Sequence, residues 1–271
     1  MVTIMRQFFS TYWLYIKTFF KSRAEYRAGF FFGLFANFYC YFITYSTYWV
    51  LINGLNNIGG WDFSDLSILY GLSLLSYSIT ATLMWYTIYN LSGIVTSGGL
   101  DSYLVRPEGV LRQLIWQRFG DTALAQILVT IIFLTAALLS KMGTLTLIKI
   151  LYMFLAIIGG VLIQCGGMIL IGAISFWTKR SNEIGRIFYY DMRELTQYPL
   201  FIFPKWIQLI LTYIFPWAFI NYYPALILLN KTQHFSDWTL GMLSPIVGVL
   251  FVLLSLLVFN QGLRRYSGAG N

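Results

Sequence analysis

Residues 93–120, GIVTSGGLDSYLVRPEGVLRQLIWQRFG, decide how the rest of the chain is read. They lie between two long uncharged segments and hold a Gly98-Gly99 turn, a lone Asp101 and an Arg106-Pro107 break. Leu100, Tyr103 and Leu104, then Leu111, Leu114 and Ile115, recur at three- and four-residue spacing, which predicts two short amphipathic helices around the break. Proline pushes the residue before it out of helical conformation, so the chain departs from helix at Arg106. Two uses fit this pattern equally: a bent element on which a soluble partner docks, or a loop resting on lipid headgroups.

Outward from that stretch the chain is apolar. Of its 271 residues 58% are hydrophobic, 19% aromatic and only 10% charged, against roughly 25% charged in soluble domains. Crossing ~30 Å of hydrocarbon takes about 20 apolar residues, and several uncharged runs are that long. The expected fold is therefore an all-α integral membrane protein forming one transmembrane domain over 1–271. The formal charge of +8 calls for basic residues gathered on the inner face of a membrane, not for nucleic acid. Cys40 and Cys165 sit inside apolar runs and read as packed thiols.

Residues 2–22 predict a helix lying on the membrane. Arg6, Lys17, Ser10, Thr3, Lys21, Gln7, Thr18 and Thr11 fall within about 140° of helical arc, opposite Ile4, Phe8, Tyr12, Phe19 and Trp13. Basic residues facing bulky aromatics suit the interface, and the regular polar face without a small-residue cleavage site argues against a secretory leader. Six spans are expected, at about 28–53, 66–91, 114–140, 147–177, 204–215 and 240–261, with Ser64 as cap of the second. Pro216, Asn221 and Pro224 interrupt an uncharged run and predict a re-entrant segment over 216–236 on the outer side. Residues 179–198 form a second charged inner loop. With both termini inside, fifteen of the eighteen basic residues lie inside, Arg193 and Lys205 among them, and only Lys141, Lys149 and Lys231 lie outside.

Little in these spans can do chemistry. Ion-coupled carriers and intramembrane enzymes place ionisable groups deep in the bilayer, and the expected spans hold almost none. Asp121 reads as an interfacial partner of Arg118, and His234 is a single loop histidine, too few for a metal site. No Gly-rich phosphate loop followed by Lys is present. The chain is not expected to be an enzyme or to carry a catalytic residue, a metal or a cofactor. An ATP-independent carrier or channel is the alternative to a protein moved from outside the membrane.

A resemblance breaks the tie over residues 93–120. Residues 99–107, GLDSYLVRP, resemble the G-x-L-D-x-x-L-x-R-P signature of a bacterial ABC-2 type permease family that includes viologen-exporter-like members, with one residue between Gly99 and Asp101. Residues 262–270, GLRRYSGAG, are similar to its G-L-x-R-Y-x-S-A-G tail, with Ser267-Gly268 in a different order, and YPL at 198–200, PWAF at 216–219 and YPA at 223–225 also fit. The resemblance implies a bacterial inner-membrane exporter subunit with a type V exporter-like fold. It would pair with a like or identical permease and with two cytoplasmic ATPases that carry ATP and Mg. Residues 93–118 would be the coupling region, through Gly99, Leu100, Asp101, Leu104, Arg106, Pro107 and Leu111. A substrate path between permeases would draw on Asn37, Tyr41, Tyr45, Ser76, Thr80, Tyr213 and Asn221, and the aromatic abundance suits an amphipathic or cationic substrate.

Overall fold

The computed structural model describes residues 17–18, 21, 27–54, 59–116, 120, 122–178, 183, 185 and 191–266. Most of the expected interfacial helix, the Arg118–Asp121 pair, most of 179–190 and the tail after Tyr266 lie outside them. The chain runs through α1 (Arg27–Gly54) and α2 (Phe63–Thr80), and α2 continues through a π-helical turn (Ala81–Trp85) to Tyr89. Then follow α3 (Leu91–Thr96), α4 (Asp101–Leu104), α5 (Val110–Trp116), α6 (Thr122–Ser140) and α7 (Leu147–Ile174). After α8 (Met192–Leu195) come α9 (Lys205–Leu209) with a π-helical extension (Ile210–Ile214), a 3-10 turn (Pro216–Phe219), α10 (Tyr222–Leu228) and α11 (Phe235–Arg265).

Among the described residues, four helices are long and apolar enough to cross a membrane: Phe63–Trp85, Ala123–Ser140, Leu147–Ile174 and Phe235–Arg265. The pair Lys205–Ile214 and Pro216–Leu228, bent by 73°, makes a fifth if it counts as one span. Helix α1 has 28 residues, about 42 Å.

Helix α2 is the buried centre, inaccessible from Asp65 to Ser78. A serine-rich helix can sit there because Ser76, Ser78, Thr80 and Thr82 each donate to the carbonyl four residues back, at 2.6–3.0 Å. Helices α7 and α11 run parallel, side by side, and pack through small residues. A Cβ on Gly159 would stand 2.9 Å from the Pro245 nitrogen, and one on Gly248 would stand 2.7 Å from the Gly159 carbonyl oxygen. Pro245 has no N–H to give Gly241, four residues earlier. The Tyr152 hydroxyl donates to that carbonyl instead, at 2.7 Å.

The two ends of the bundle differ. At one, Asp62 caps α2: its carboxylate accepts from the Asp65 amide while the Asp65 carboxylate accepts from the Asp62 amide. The cap is thus Asp62 rather than the expected Ser64, and α2 begins three residues earlier than 66. At the other end Tyr266, after α11, lies beside Asp101, and Gly262 touches Phe176 and Trp177 just past α7.

The chain between α7 and α11 departs most from expectation. Gly185 sits on Ile171 near the Tyr266 end of α7. Arg193 then lies over the Tyr77 ring at 4.0 Å, Thr196 shares a 2.9 Å hydrogen bond with Ser73, and Phe201 packs on Trp61 and Gly59. Residues 193–201 therefore run along α2 toward the Asp62 end. Arg193 is halfway along α2, not in an inner loop, and Lys205, four residues past Phe201, stays within about 14 Å of the Asp62 end. The bent pair starts there, sends the Trp217 ring down to Gly167 on α7, and returns until Lys149 donates to the Leu228 carbonyl at 2.9 Å. Ten residues, Lys205–Ile214, reach only about 15 Å, so the expected span at 204–215 is a half-length arm.

The third expected span also divides. Residues 114–116 belong to α5, and α6 starts at Thr122. Gly120, between them, donates from its amide to the Thr82 carbonyl at 2.9 Å. A π-helical turn leaves a carbonyl outside the regular ladder, and only a glycine comes this close, since a Cβ would meet Ala81 oxygen at 2.9 Å.

Candidate functional site

Residues 91–116 form a folded projection at the Tyr266 end. Gly98, at φ 72°, turns the chain out of α3 where a side chain would be strained. Leu100 and Leu114 are wholly buried, and Tyr103, Val110 and Trp116 nearly so. Gln113 fixes the bend between α4 and α5, its Nε2 donating to the carbonyls of Tyr103 (2.9 Å) and Glu108 (2.6 Å). A buried amide bonded to both sides of a turn specifies one geometry, since an alternative would strand a polar group.

The residues between those anchors face outward. Leu104 is 47% exposed and Val105 84%, and Arg106, Pro107, Glu108 and Gly109 are exposed. Arg106 stands 5.8 Å from the Tyr103 ring centre, and Arg112 pairs with Glu108 at 2.9 Å. Of the seven residues expected here, Asp101, Leu104, Arg106 and Pro107 lie at the surface, Gly99 and Leu111 are half-buried, and Leu100 is an anchor inside. Sequence spacing missed Val105, the most exposed apolar side chain of the projection, and Gln113. The signal for Gln113 was an amide on the face that Val110 and Leu114 share. Burial and then the neighbouring Asp101 push the Tyr266 hydroxyl above its ordinary value, and the exposed Arg264 and Arg265 flank it.

The seven path residues are not brought together. Ser76 and Thr80 are sealed between α2 and α7, where Thr80 Oγ1 also reaches the Val161 carbonyl at 3.3 Å. Asn221 is 1% exposed and stitches irregular backbone, its Nδ2 donating to the carbonyls of Thr196 (2.5 Å) and Leu69 (3.3 Å). Tyr213 is 71% exposed on the arm. On α1, Asn37 donates to its own helix at Gly33, Tyr41 is half-buried, and Tyr45 is buried, stacked 3.7 Å from Phe133. Tyr45 also lines a cavity of about 420 Å³ with Trp49, Phe63, Ser64, Phe133 and Ser140, between α1, α2 and α6.

The Asp62 end holds a second cluster that sequence reading did not assemble. Asp65, 2% exposed, meets Lys141 at 2.9 Å and Lys231 at 3.0 Å. Asp62 meets Lys141 at 2.6 Å, and Lys231 lies 5.4 Å from the Trp61 ring centre. Lys149 donates to the Asn230 side chain at 2.7 Å. The three lysines assigned to the outer side thus tie the starts of α2 and α7 to the end of the bent pair. Burial alone would raise the Asp62 carboxyl, but Lys141 holds it below its usual value. The same pairing, against burial, holds Lys141 above its own.

No curated protein and no solved structure matches the chain. Residues 37–270 match the family described as ABC-2 family transporter protein. With its long apolar helices and a match that spans α2 through α11, this multi-pass membrane protein belongs to the ABC-2 family of transporter proteins.

Proposed function

We propose that the chain is the permease subunit of an ATP-driven exporter in a bacterial inner membrane. It pairs with a second permease, identical or related, and is moved by two cytoplasmic ATPases that bind ATP and Mg. The observation that carries this reading is the apex Leu104-Val105-Arg106-Pro107. It presents apolar side chains to solvent on a base fixed by Leu100, Gln113 and Leu114. A loop resting on lipid needs no buried clamp, whereas an element that receives a push does.

The Tyr266 end is then cytoplasmic, with the N-terminal interfacial helix and the C-terminus on that side. Arg106, Arg112, Arg264 and Arg265 lie there, as the positive-inside bias requires. Six crossings follow: α1, α2, α6, α7, the segment through 193–201, and α11. The bent pair, 205–228, is a re-entrant hairpin entering from outside, and its second arm lies within the expected segment 216–236. Ser244 donates to its Phe219 carbonyl at 2.6 Å, and Asn221 ties it to the Thr196 carbonyl. ATP-driven closure of the ATPases shifts the permease pair between inward- and outward-facing states through differential contact.

The test is co-purification with an ATP-binding cassette ATPase, to be sought among the products of the neighbouring genes. Leu104→Asp and Val105→Asp are expected to abolish co-purification and substrate-stimulated ATP hydrolysis while leaving the permease monodisperse. Unchanged assembly and hydrolysis would overturn the docking role. Uptake into inverted vesicles tests the direction.

A further inference from the structure

The lysine cluster at the Asp62 end is saturated, but the cavity beside it is not. That cavity holds about 570 Å³, between the residues before α2, the turn after α10 and the first turn of α11. Ligand sites commonly occupy roughly 300–1,000 Å³. Trp61, Tyr222, Asn230, Lys231 and Asp237 line it. Two membrane-crossing helices, α2 and α11, both begin here, so the cavity opens at a membrane surface. Phe235 and Trp238 stand exposed on the first turn of α11, as aromatic residues at headgroup level do.

Four polar groups of the lining have capacity to spare among the described residues. Trp61 is only 4% exposed, yet its indole N–H has no acceptor. The Tyr222 hydroxyl has no hydrogen bond. Asn230 gives its Oδ1 to Lys149 and keeps its Nδ2 donors unused. It is also the one non-glycine residue with positive φ, 56°, among those described, and such backbone persists where its surroundings enforce it, often at a functional site. Asp237 caps α11 with one oxygen alone: Oδ2 accepts from the Gln233 and His234 amides, and Oδ1 is left over.

What is already spent narrows the ligand. Lys231 meets Asp65 at 3.0 Å, donates to the Gly60 carbonyl and lies over the Trp61 ring. Tyr222 stacks on Trp61 with ring planes 14° apart. With the Trp61 ring covered in this way, a quaternary ammonium finds no aromatic cage. The open charge is Asp237 Oδ1, an acceptor that suits a primary ammonium and its N–H donors. The open donors, on Trp61 and Asn230, call for an acceptor oxygen in the same ligand. Both demands in one cavity describe a small zwitterion.

We propose that this cavity binds a phosphoethanolamine group. Its ammonium takes a charge-assisted hydrogen bond to Asp237 Oδ1, its phosphate oxygens accept from the Trp61 and Asn230 N–H groups, and the Tyr222 hydroxyl is a further partner. The source is a phosphatidylethanolamine of the bilayer or a soluble ester of the same group. The site lies at a membrane surface whichever face is cytoplasmic, and its test uses no ATPase, so its failure would leave the transport reading standing.

The purified chain in phosphatidylcholine nanodiscs is titrated by calorimetry with glycerophosphoethanolamine, and with glycerophosphocholine as the quaternary control. The first is expected to bind saturably and the second at least tenfold more weakly. Asp237→Asn keeps an oxygen for the two amides and so the cap, and should raise the Kd about 10- to 100-fold or abolish saturation, the loss of a hydrogen bond to a charged group. Tyr222→Phe keeps the ring stacked on Trp61, should weaken binding about threefold through the lost hydroxyl, and carries the test if Asp237→Asn fails to fold. Phosphatidylethanolamine built into the disc separates the sources: competition assigns the site to the bilayer lipid, and undiminished binding assigns it to a soluble ester. The proposal is overturned if glycerophosphoethanolamine does not bind, if glycerophosphocholine binds as tightly, or if the Asp237 and Tyr222 variants bind unchanged.

Discussion

The two ends of the bundle handle exposed chemistry in opposite ways. At the Asp62 end, charges are consumed inside the chain: Asp65 is buried between Lys141 and Lys231, and Lys149 is tied to the turn after α10. At the Tyr266 end the polar clamp, Gln113, is inside, while apolar Leu104 and Val105 point out. A self-satisfied cluster holds a chain to itself, whereas exposed apolar side chains on a rigid base invite a partner. Stability and coupling should therefore be separable by mutation.

The sharpest break comes from the apex. Full burial of Leu104 and Val105 in a partner is worth about 1.5–3 kcal/mol each. Val105→Asp with Leu104→Asp should therefore weaken ATPase association by at least ~100-fold, with thermal stability unchanged because both are solvent-facing. Asp65→Asn should do the reverse. It leaves two lysines facing a buried neutral group and is expected to cost about 3 kcal/mol, read as a lower melting temperature with ATPase association intact. If Asp65→Asn abolished association instead, the two ends would not be independent. Gln113→Ala should lie between, costing about 1–2 kcal/mol and reducing ATPase stimulation more than association, because the apex would be present but unclamped.

The smallest effect is that of pH on the Asp62–Lys141 pair. Asp62 is depressed, so its contribution is present above its unfolded pKa and lost as pH falls through the lower folded value. Lys141 is raised, so its contribution is present below its unfolded pKa and lost as pH rises through the higher folded value. Melting temperature should be flat between these limits, with losses below about 1 kcal/mol at either side for so exposed a pair. A midpoint near neutrality would assign the latch to other groups.

Local pattern carried much of the fold. An apolar run bounded by Thr146 and by Trp177 reads as α7 within three residues, and Gly98 and Pro107 mark the turns that frame α4. Asp62 with Asp65 three residues on was a legible capping signal, passed over for Ser64. The course of 193–201 was not legible. It has no helical period, and its place along α2 depends on Ser73 and Thr196, 123 residues apart. Nor could sequence separate a serine that lines a path from one that bonds its own helix, as Ser76 does. Charge counting put Arg193 among inner-loop residues because a basic residue without an apolar run around it looks like loop.

Helices α7 and α11 have one further implication. Where two helices meet through side chains, rotamers can give and one rod can slide on the other. Here the seam is main chain against main chain at Gly159, Pro245 and Gly248, pinned by Tyr152 on the carbonyl that Pro245 leaves open. Such a seam has no lubricant. The pair acts as a keel, and whatever moves in this molecule moves against it.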